Sequence, residues 1–343
     1  MKLVATREER GAHVRIARPG LAERLNGALD SGSVVLTAGA GCGKTIALEQ
    51  ALALRTSPSV WLRCLPADRD PGTLLRRLVT GLRQVAPGAA DLVAERLETA
   101  QERIDARELA AELVGDLDRL LPTQIVAVFD DAEVLAKAPD AAGLVGDLVA
   151  ADSPVLRVAV ATRAALPMRL AKLRIGGRVT ELGSGDLAFT AEECAALVLM
   201  AGKPDADPSA LYAATEGWPL GAALGAAHAD VPSLRGAASR ARLFEFLAEE
   251  ALDRLPPGVR DAVVDSSITH ELDAGCARAL GLPEDFAEQL ARAGLPVRSG
   301  EAVQEGLAYH PLVREFLLDR LERERPPAAQ RGGEARAGGR RPN

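Results

Sequence analysis

Cysteine is scarce. Cys42, Cys64, Cys194 and Cys276 are scattered, with no Cys-x-x-Cys spacing and no histidine pair beside them. That argues against a zinc site and against a disulfide framework. Basic charge is short as well: 41 Lys and Arg against 48 Asp and Glu leave a net charge of −7. An acidic chain is not built for non-specific DNA binding, which needs a cationic surface to attract phosphates. The one Arg-bearing stretch (Arg331, Arg336, Arg340, Arg341) is rich in Pro, Gly and Ala and has no apolar period, so 326–343 reads as a disordered tail. Long apolar runs are missing too. Met1 to Arg10 lacks the apolar stretch of a signal peptide, and no run approaches the length needed to span a bilayer. The expectation is a reduced, cytoplasmic protein. Aromatics are few, in a composition dominated by Ala, Leu, Gly and Arg that reads as genome bias rather than function.

What is present suits a globular chain. With 343 residues, 48% of them hydrophobic and 26% charged, two or three domains can share a substantial core. Leu21, Leu25 and Leu29 predict a helix over 21–30, leading into an apolar strand, Val34 to Thr37. Further strands are expected at Ser59–Cys64, Ile125–Phe129, Leu156–Ala161 and Arg178–Leu182. Helical stretches fill 72–84 and 91–121, with Leu109, Leu113, Leu117 and Leu120 on one buried face. Apolar strands separated by helices predict a parallel sheet covered on both faces. From 190 the pattern turns helical. Thr190-Ala191-Glu192-Glu193 is a capping box, and Gly217 closes one helix before Pro219 opens the next. Pro256-Pro257 is a break. Beyond it come three short helices, a hairpin over 297–303 and a helix from His310 to Glu324, an order that suggests a winged helix. The expected organisation is a lead segment (1–28), an α/β nucleotide-binding domain (29–189), a helical domain (190–255), a winged helix (256–325) and the tail.

Between the first strand and its helix lies Ala38-Gly39-Ala40-Gly41-Cys42-Gly43-Lys44-Thr45, followed by Ile46. This is a phosphate-binding loop with Ala in place of the first Gly. Backbone N–H groups around Gly41 and Gly43 can point at a phosphate, aided by the positive end of the helix. Lys44 supplies charge for the β- and γ-phosphates, and Thr45 a hydroxyl for Mg²⁺. Such a loop needs a strand-ending carboxylate to hold magnesium through water, the place of Asp130; Asp131 can orient an attacking water. Taken alone, Asp-Asp after a strand is as readily a solvated turn, but downstream of this loop the functional reading is preferred. Arg163 ends the fourth strand on the same sheet edge, where a cation can sense a γ-phosphate or simply face solvent.

These pieces in this order resemble the signal-transduction ATPases with numerous domains, in the branch found in large LuxR-type and maltose-activator-type bacterial regulators. The resemblance runs from about 14 to 324. It rests on Ala38–Thr45, Val126–Asp131, Ala161-Thr162-Arg163 followed by Leu170–Arg174, Asp186–Thr190, Thr215-Glu216-Gly217-Trp218-Pro219, and Tyr309–Leu317. It implies an additional-strand P-loop sheet, then a helical domain and a winged helix, with ATP or ADP and Mg²⁺ bound. It explains Ala38, since Ala is common there. It implies that Pro219 lies against the adenine, that the Arg18-Pro19 segment approaches the base, that Arg163 is the sensor, and that His310 faces the β-phosphate of ADP. The chain departs from the family at Ala132 and Glu133, where an aromatic or aliphatic residue and then His are usual. The family also continues into helical repeats and a DNA-binding helix-turn-helix, which these 343 residues do not contain.

The reading preferred from sequence is an ATP/ADP-controlled switch in a bacterial regulatory pathway, at most a slow ATPase, with a protein partner or self-association in the ATP state. A turning-over remodelling ATPase needs an arginine finger, and no convincing candidate is present. Direct DNA binding is disfavoured because the last helix alternates Arg314, Arg320 and Arg323 with Glu315, Asp319 and Glu322. A shortened regulator that pairs with a longer relative stays open.

Overall fold

The computed structural model describes residues 15–99, 105–203, 206–227, 244–245, 247–253, 255–269, 271–286, 289–290, 295, 297–299 and 307–324. The expected tail, the first half of the lead segment (1–14) and residues 300–303 of the expected hairpin lie outside them. The chain divides into two compact units. One holds 17–38 and 43–187; the other holds 15–16, 39–42 and the described residues from 188 onward.

The first unit is built on five strands: β1 (Ser33–Thr37), β2 (Ser59–Arg63), β3 (Ile125–Asp130), β4 (Leu156–Thr162) and β5 (Val179–Leu182). All pairings are parallel, in the order β2-β3-β4-β1-β5. The extra strand β4 thus separates the loop-bearing β1 from the acid-bearing β3. The burial explains the sequence pattern. β3 is buried at every residue, β4 and β1 at nearly every one, whereas the edge strand β2 alternates and the edge strand β5 is buried only at Val179 and Leu182. An edge strand contributes only one well-covered face, so β2 carries half-buried Trp61 between Val60 and Leu62 instead of being apolar throughout.

Around the sheet lie α1 (Pro19–Ser31), α2 (Lys44–Ala53), α3 (Pro71–Val85), α4 (Asp91–Thr99), α5 (Ala106–Leu120), α6 (Pro139–Ala150) and the short α7 (Ala171–Ile175) and α8 (Ser184–Leu187). α3 begins where Asp70 accepts a hydrogen bond from the Thr73 N–H (2.7 Å) ahead of Pro71, and buries Leu74, Leu75, Leu78, Val79 and Leu82. The stretch 91–121 is two helices rather than one: Asp105 caps the start of α5 by accepting from Arg107 and Glu108 N–H groups. Leu109, Leu113 and Leu117 are buried as expected, but Leu120, in the last turn, is half exposed.

The second unit begins with α9 (Ala191–Met200), α10 (Pro208–Thr215) and α11 (Pro219–Ala227). The capping box at Thr190 and Glu193 is formed. Cys194, Leu197, Val198, Leu211, Ala222 and Ala226 form its core with Ile16. Then follow α12 (Pro257–Ser266), α13 (Ala274–Ala279), β6 (Val297–Ser299), β7 (Leu307–Tyr309) and α14 (Pro311–Glu324). β6 and β7 pair antiparallel, Val297 opposite Tyr309. The hairpin therefore extends beyond 297–303: its return strand is 307–309. The buried Tyr309 hydroxyl bonds to Ser266 Oγ (2.7 Å) on α12, and burial pushes its pKa up, so it stays neutral. Among the described residues no helix is long and apolar enough to cross a membrane.

Candidate nucleotide-binding site

The loop from Ala38 to Gly43 joins β1 to α2. Its geometry follows from its glycines: Gly41 (φ 71°) and Gly43 (φ 77°) are left-handed, a conformation that L side chains resist. Gly43 is the N-cap of α2; no side chain caps this end and no acid lies in the first turn. A helix N-terminus of this kind favours an anion. Lys44 donates from Nζ to the Ala38 carbonyl (2.7 Å), so the ammonium is folded back across its own loop.

The other parts of the first unit's site come from strand ends. The Thr45 hydroxyl donates to both Asp130 carboxylate oxygens (2.9 and 3.1 Å). The Asp130 carboxylate also accepts the Asp131 N–H (3.0 Å) and is only 5% exposed. Its pKa is raised, first by burial and then by the neighbouring Asp131 charge, against the opposing pull of Thr45, the Asp131 N–H and Lys44. A carboxylate that burial makes hard to ionise, beside a hydroxyl, suits a site completed by a divalent cation; Thr45 and Asp130 fit Mg²⁺ in that sense. Because the folded pKa lies above the unfolded one, Asp130's contribution to stability is fully present below the unfolded value. It is lost as pH rises through the folded value. Asp130→Asn should therefore make the nucleotide-free chain more stable than wild type at pH 7. The difference should narrow on acidification, while the magnesium dependence of nucleotide binding disappears. Thermal melts across pH, with and without Mg²⁺-nucleotide, check both halves.

Asp131 stands in the left-handed region (φ 53°), which Asp tolerates better than most residues, and its carboxylate pairs with Arg63 Nε (2.7 Å) at the end of β2. Arg163 follows β4. Its backbone N–H donates to Glu133 Oε2 (3.2 Å), and its Nε pairs with Glu133 Oε1 (3.0 Å). Ala38, where the loop starts, donates its N–H to Thr162 O (3.1 Å), the residue just before Arg163. Lys44, Thr45, Asp130, Asp131 and Arg163 thus share the carboxyl-terminal edge of one parallel sheet. Arg18 is nearly buried; its N–H donates to Gln50 Oε1 (3.0 Å) and its guanidinium to the Leu187 carbonyl (2.8 Å).

Gly39, Ala40, Gly41 and Cys42, the middle of the loop, belong to the second unit. There Trp218 Nε1 donates to the Ala40 carbonyl (3.1 Å), and the Leu220 N–H donates to the Gly41 carbonyl (3.1 Å). Pro219, between them, is the buried first residue of α11. The Trp218 ring lies 5.5 Å from the His310 ring. His310 Nε2 contacts the Thr215 carbonyl (2.8 Å), and Nδ1 accepts from the Leu312 N–H (3.3 Å). Those bonds select the neutral tautomer with the proton on Nε2, and both ring nitrogens are turned to the protein. Two residues were given no role from sequence. Trp218 stood in the sequence only as part of the Thr215–Pro219 motif, with no contact assigned to it. Glu133 stood out as a departure from the family pattern, without a partner to read.

Residues 248–329 match a family model described as the MalT winged helix domain. The serine/threonine-protein kinase PknK of Mycobacterium tuberculosis is 30% identical over 313 residues, covering 84% of this chain and 27% of that protein. The HTH-type transcriptional regulator MalT of Cronobacter sakazakii is 24% identical over 327 residues, covering 90% of this chain and 35% of that protein. The chain thus spans about a third or less of the length of these relatives. Among solved structures, the Walker-type ATPase PABY2304 of Pyrococcus abyssi superposes with a TM-score of 0.54 at 13% identity, covering 88% of this chain and 96% of that one, a likeness of fold. With a P-loop on an additional-strand sheet, a MalT-type winged helix and relatives such as MalT and PknK along most of its length, the chain is a MalT-like member of the signal-transduction ATPases with numerous domains.

Proposed function

We propose that this chain is an ATP- and ADP-binding regulatory switch of a bacterial transcription-regulation or signalling pathway, with slow or no hydrolysis. The observation that carries the reading lies within the second unit. Carbonyls of the phosphate loop at Ala40 and Gly41 accept from Trp218 and Leu220, and Trp218 packs on His310 at the start of α14. A loop that changes shape around phosphate would pull on the segment that touches the winged helix. A ligand moves such an equilibrium only by its difference in affinity for the two states.

In this reading Lys44 leaves the Ala38 carbonyl for the β- and γ-phosphates, and loop N–H groups hold the β-phosphate. Thr45 and Asp130 hold Mg²⁺, whose charge neutralises the phosphates. By family resemblance, Pro219 and the Arg18 segment face the adenine. His310 would have to leave the Thr215 carbonyl to meet a phosphate. Slow turnover is supported by the pairing of Asp131 with Arg63 and of Arg163 with Glu133, the two groups a hydrolytic step would call on.

The winged helix is proposed as an internal regulatory element rather than a DNA reader. Arg314 donates to the Thr269 and Ile268 carbonyls, and Arg320 and Arg323 pair with Glu324 and Asp319. Cations engaged in this way leave little to offer a phosphate backbone. Calorimetry with ATP and ADP in Mg²⁺, alongside sedimentation and limited proteolysis, tests the switch. Distinct profiles with the two nucleotides are expected. Identical profiles would remove its basis, and many turnovers per minute in a phosphate-release assay would favour a remodelling ATPase.

A further inference from the structure

Asp131 turns the chain out of β3 in a left-handed conformation, and a six-residue 3-10 helix follows, Ala132–Lys137. That helix carries Glu133 to the end of the neighbouring strand β4. Both oxygens of its carboxylate are then committed to one residue. Oε2 accepts the Arg163 backbone N–H at 3.2 Å, and Oε1 faces the guanidinium Nε at 3.0 Å. The pair is largely sheltered, with side-chain exposures of 16% and 20%, so it is weakly screened. A carboxylate that takes two donors from an arginine fills the role an external phosphate oxygen would fill for the same arginine.

We propose that Glu133 is a specificity-determining residue that tilts this site toward the nucleoside diphosphate by holding Arg163 in place of a terminal phosphate. The inference rests on the nucleotide-binding reading above and goes beyond it. A triphosphate that recruits the Arg163 Nε must displace Glu133 from it, and it brings negative charge toward a carboxylate. A diphosphate leaves the pair intact. The cost falls on one ligand and not on the other, which is what discrimination requires.

The experiment is calorimetric titration of ATP and ADP, each with Mg²⁺, into the wild-type chain, E133Q, E133D, R163Q and E133Q/R163Q, with a thermal melt of each. Gln keeps the shape and an acceptor oxygen but drops the charge. E133Q should tighten ATP on the order of tenfold, with ADP within about twofold of wild type. E133D, which keeps the charge, should restore preference for ADP at least in part. In the R163Q background the same change at 133 should leave the ATP-to-ADP affinity ratio unmoved, because its target is gone. Equal shifts for both nucleotides, or a change in melting temperature with the ratio unaltered, would reduce Glu133 to a structural role and overturn the proposal. Persistence of the effect without Arg163 would overturn it too. If a folded wild-type chain bound neither nucleotide, the underlying reading would fall with it, and the binding isotherms tell these failures apart.

Discussion

Replacing Lys44 with alanine is expected to weaken magnesium-ATP and magnesium-ADP by about 100-fold or more, while the nucleotide-free chain melts close to wild type. The two halves have one cause. The Lys44 ammonium donates to the Ala38 carbonyl at 2.7 Å, in a part-buried position. Losing one such hydrogen bond costs about 1 kcal/mol of stability, since water can replace it in part. In the complex the same ammonium faces phosphate oxygens beside an uncapped helix N-terminus. Losing two charge-assisted bonds there, each about 1.5–3 kcal/mol, amounts to roughly two to four decades of affinity. Lys44→Arg is the informative companion: it keeps the charge but not the compact shape, and should recover only part of the binding. Titration calorimetry with a matched melt is the measurement. Undiminished binding by the alanine variant would mean that this loop is not the nucleotide site. The reading of a regulator that acts only through a longer relative would then gain weight.

How much of this could be read in advance depends on how local each feature is. The central strands were plain because nearly every residue is buried on both faces, and β3 runs apolar without a break from Ile125 to Phe129. The phosphate loop was plain because its left-handed glycines, its lysine and its threonine are consecutive. The capping box at Thr190 and the Gly217 to Pro219 joint are also short-range. Features made by distant partners were not legible. The Trp218 bond to Ala40 joins residues 178 apart in sequence, and nothing near either one announces it. Glu133 could be seen as unusual, but its partner is 30 residues on, set by the strand order that places β4 beside β3. The return strand of the 297–309 hairpin was misplaced because pairing registers are tertiary, while propensity marks only the flanks. Nor did sequence show that residues 39–42 group with the second unit while 43–45 group with the first.

The joint between α10 and α11 carries the largest structural expectation. Glu216 (φ 48°) and Gly217 (φ 74°) are left-handed in succession, reversing the chain so that Trp218 and Pro219 open the next helix. A Cβ at 217 would stand 2.3 Å from the Phe189 carbonyl oxygen and 3.0 Å from the Phe189 nitrogen, both backbone atoms. That backbone is not free to retreat, because the Phe189 N–H donates to the Gly217 carbonyl at 2.7 Å. Gly217→Ala therefore combines the strain of a left-handed alanine with a broken hydrogen bond, or else distorts the turn. The expected cost is about 3–5 kcal/mol, a large share of the stability of an ordinary domain. It should appear as early unfolding of the second unit in urea, before the sheet-bearing unit unfolds. Because Trp218 is the next residue, the change should also slacken its bond to Ala40, so nucleotide affinity should fall without any alteration at Lys44. Glu216→Gly separates the causes: it eases the left-handed conformation at 216 and adds no atom near Phe189, so it should leave stability within about 1 kcal/mol of wild type. If Gly217→Ala unfolded along with wild type, the joint would have another way to turn, and the coupling through Trp218 would not depend on the left-handed pair.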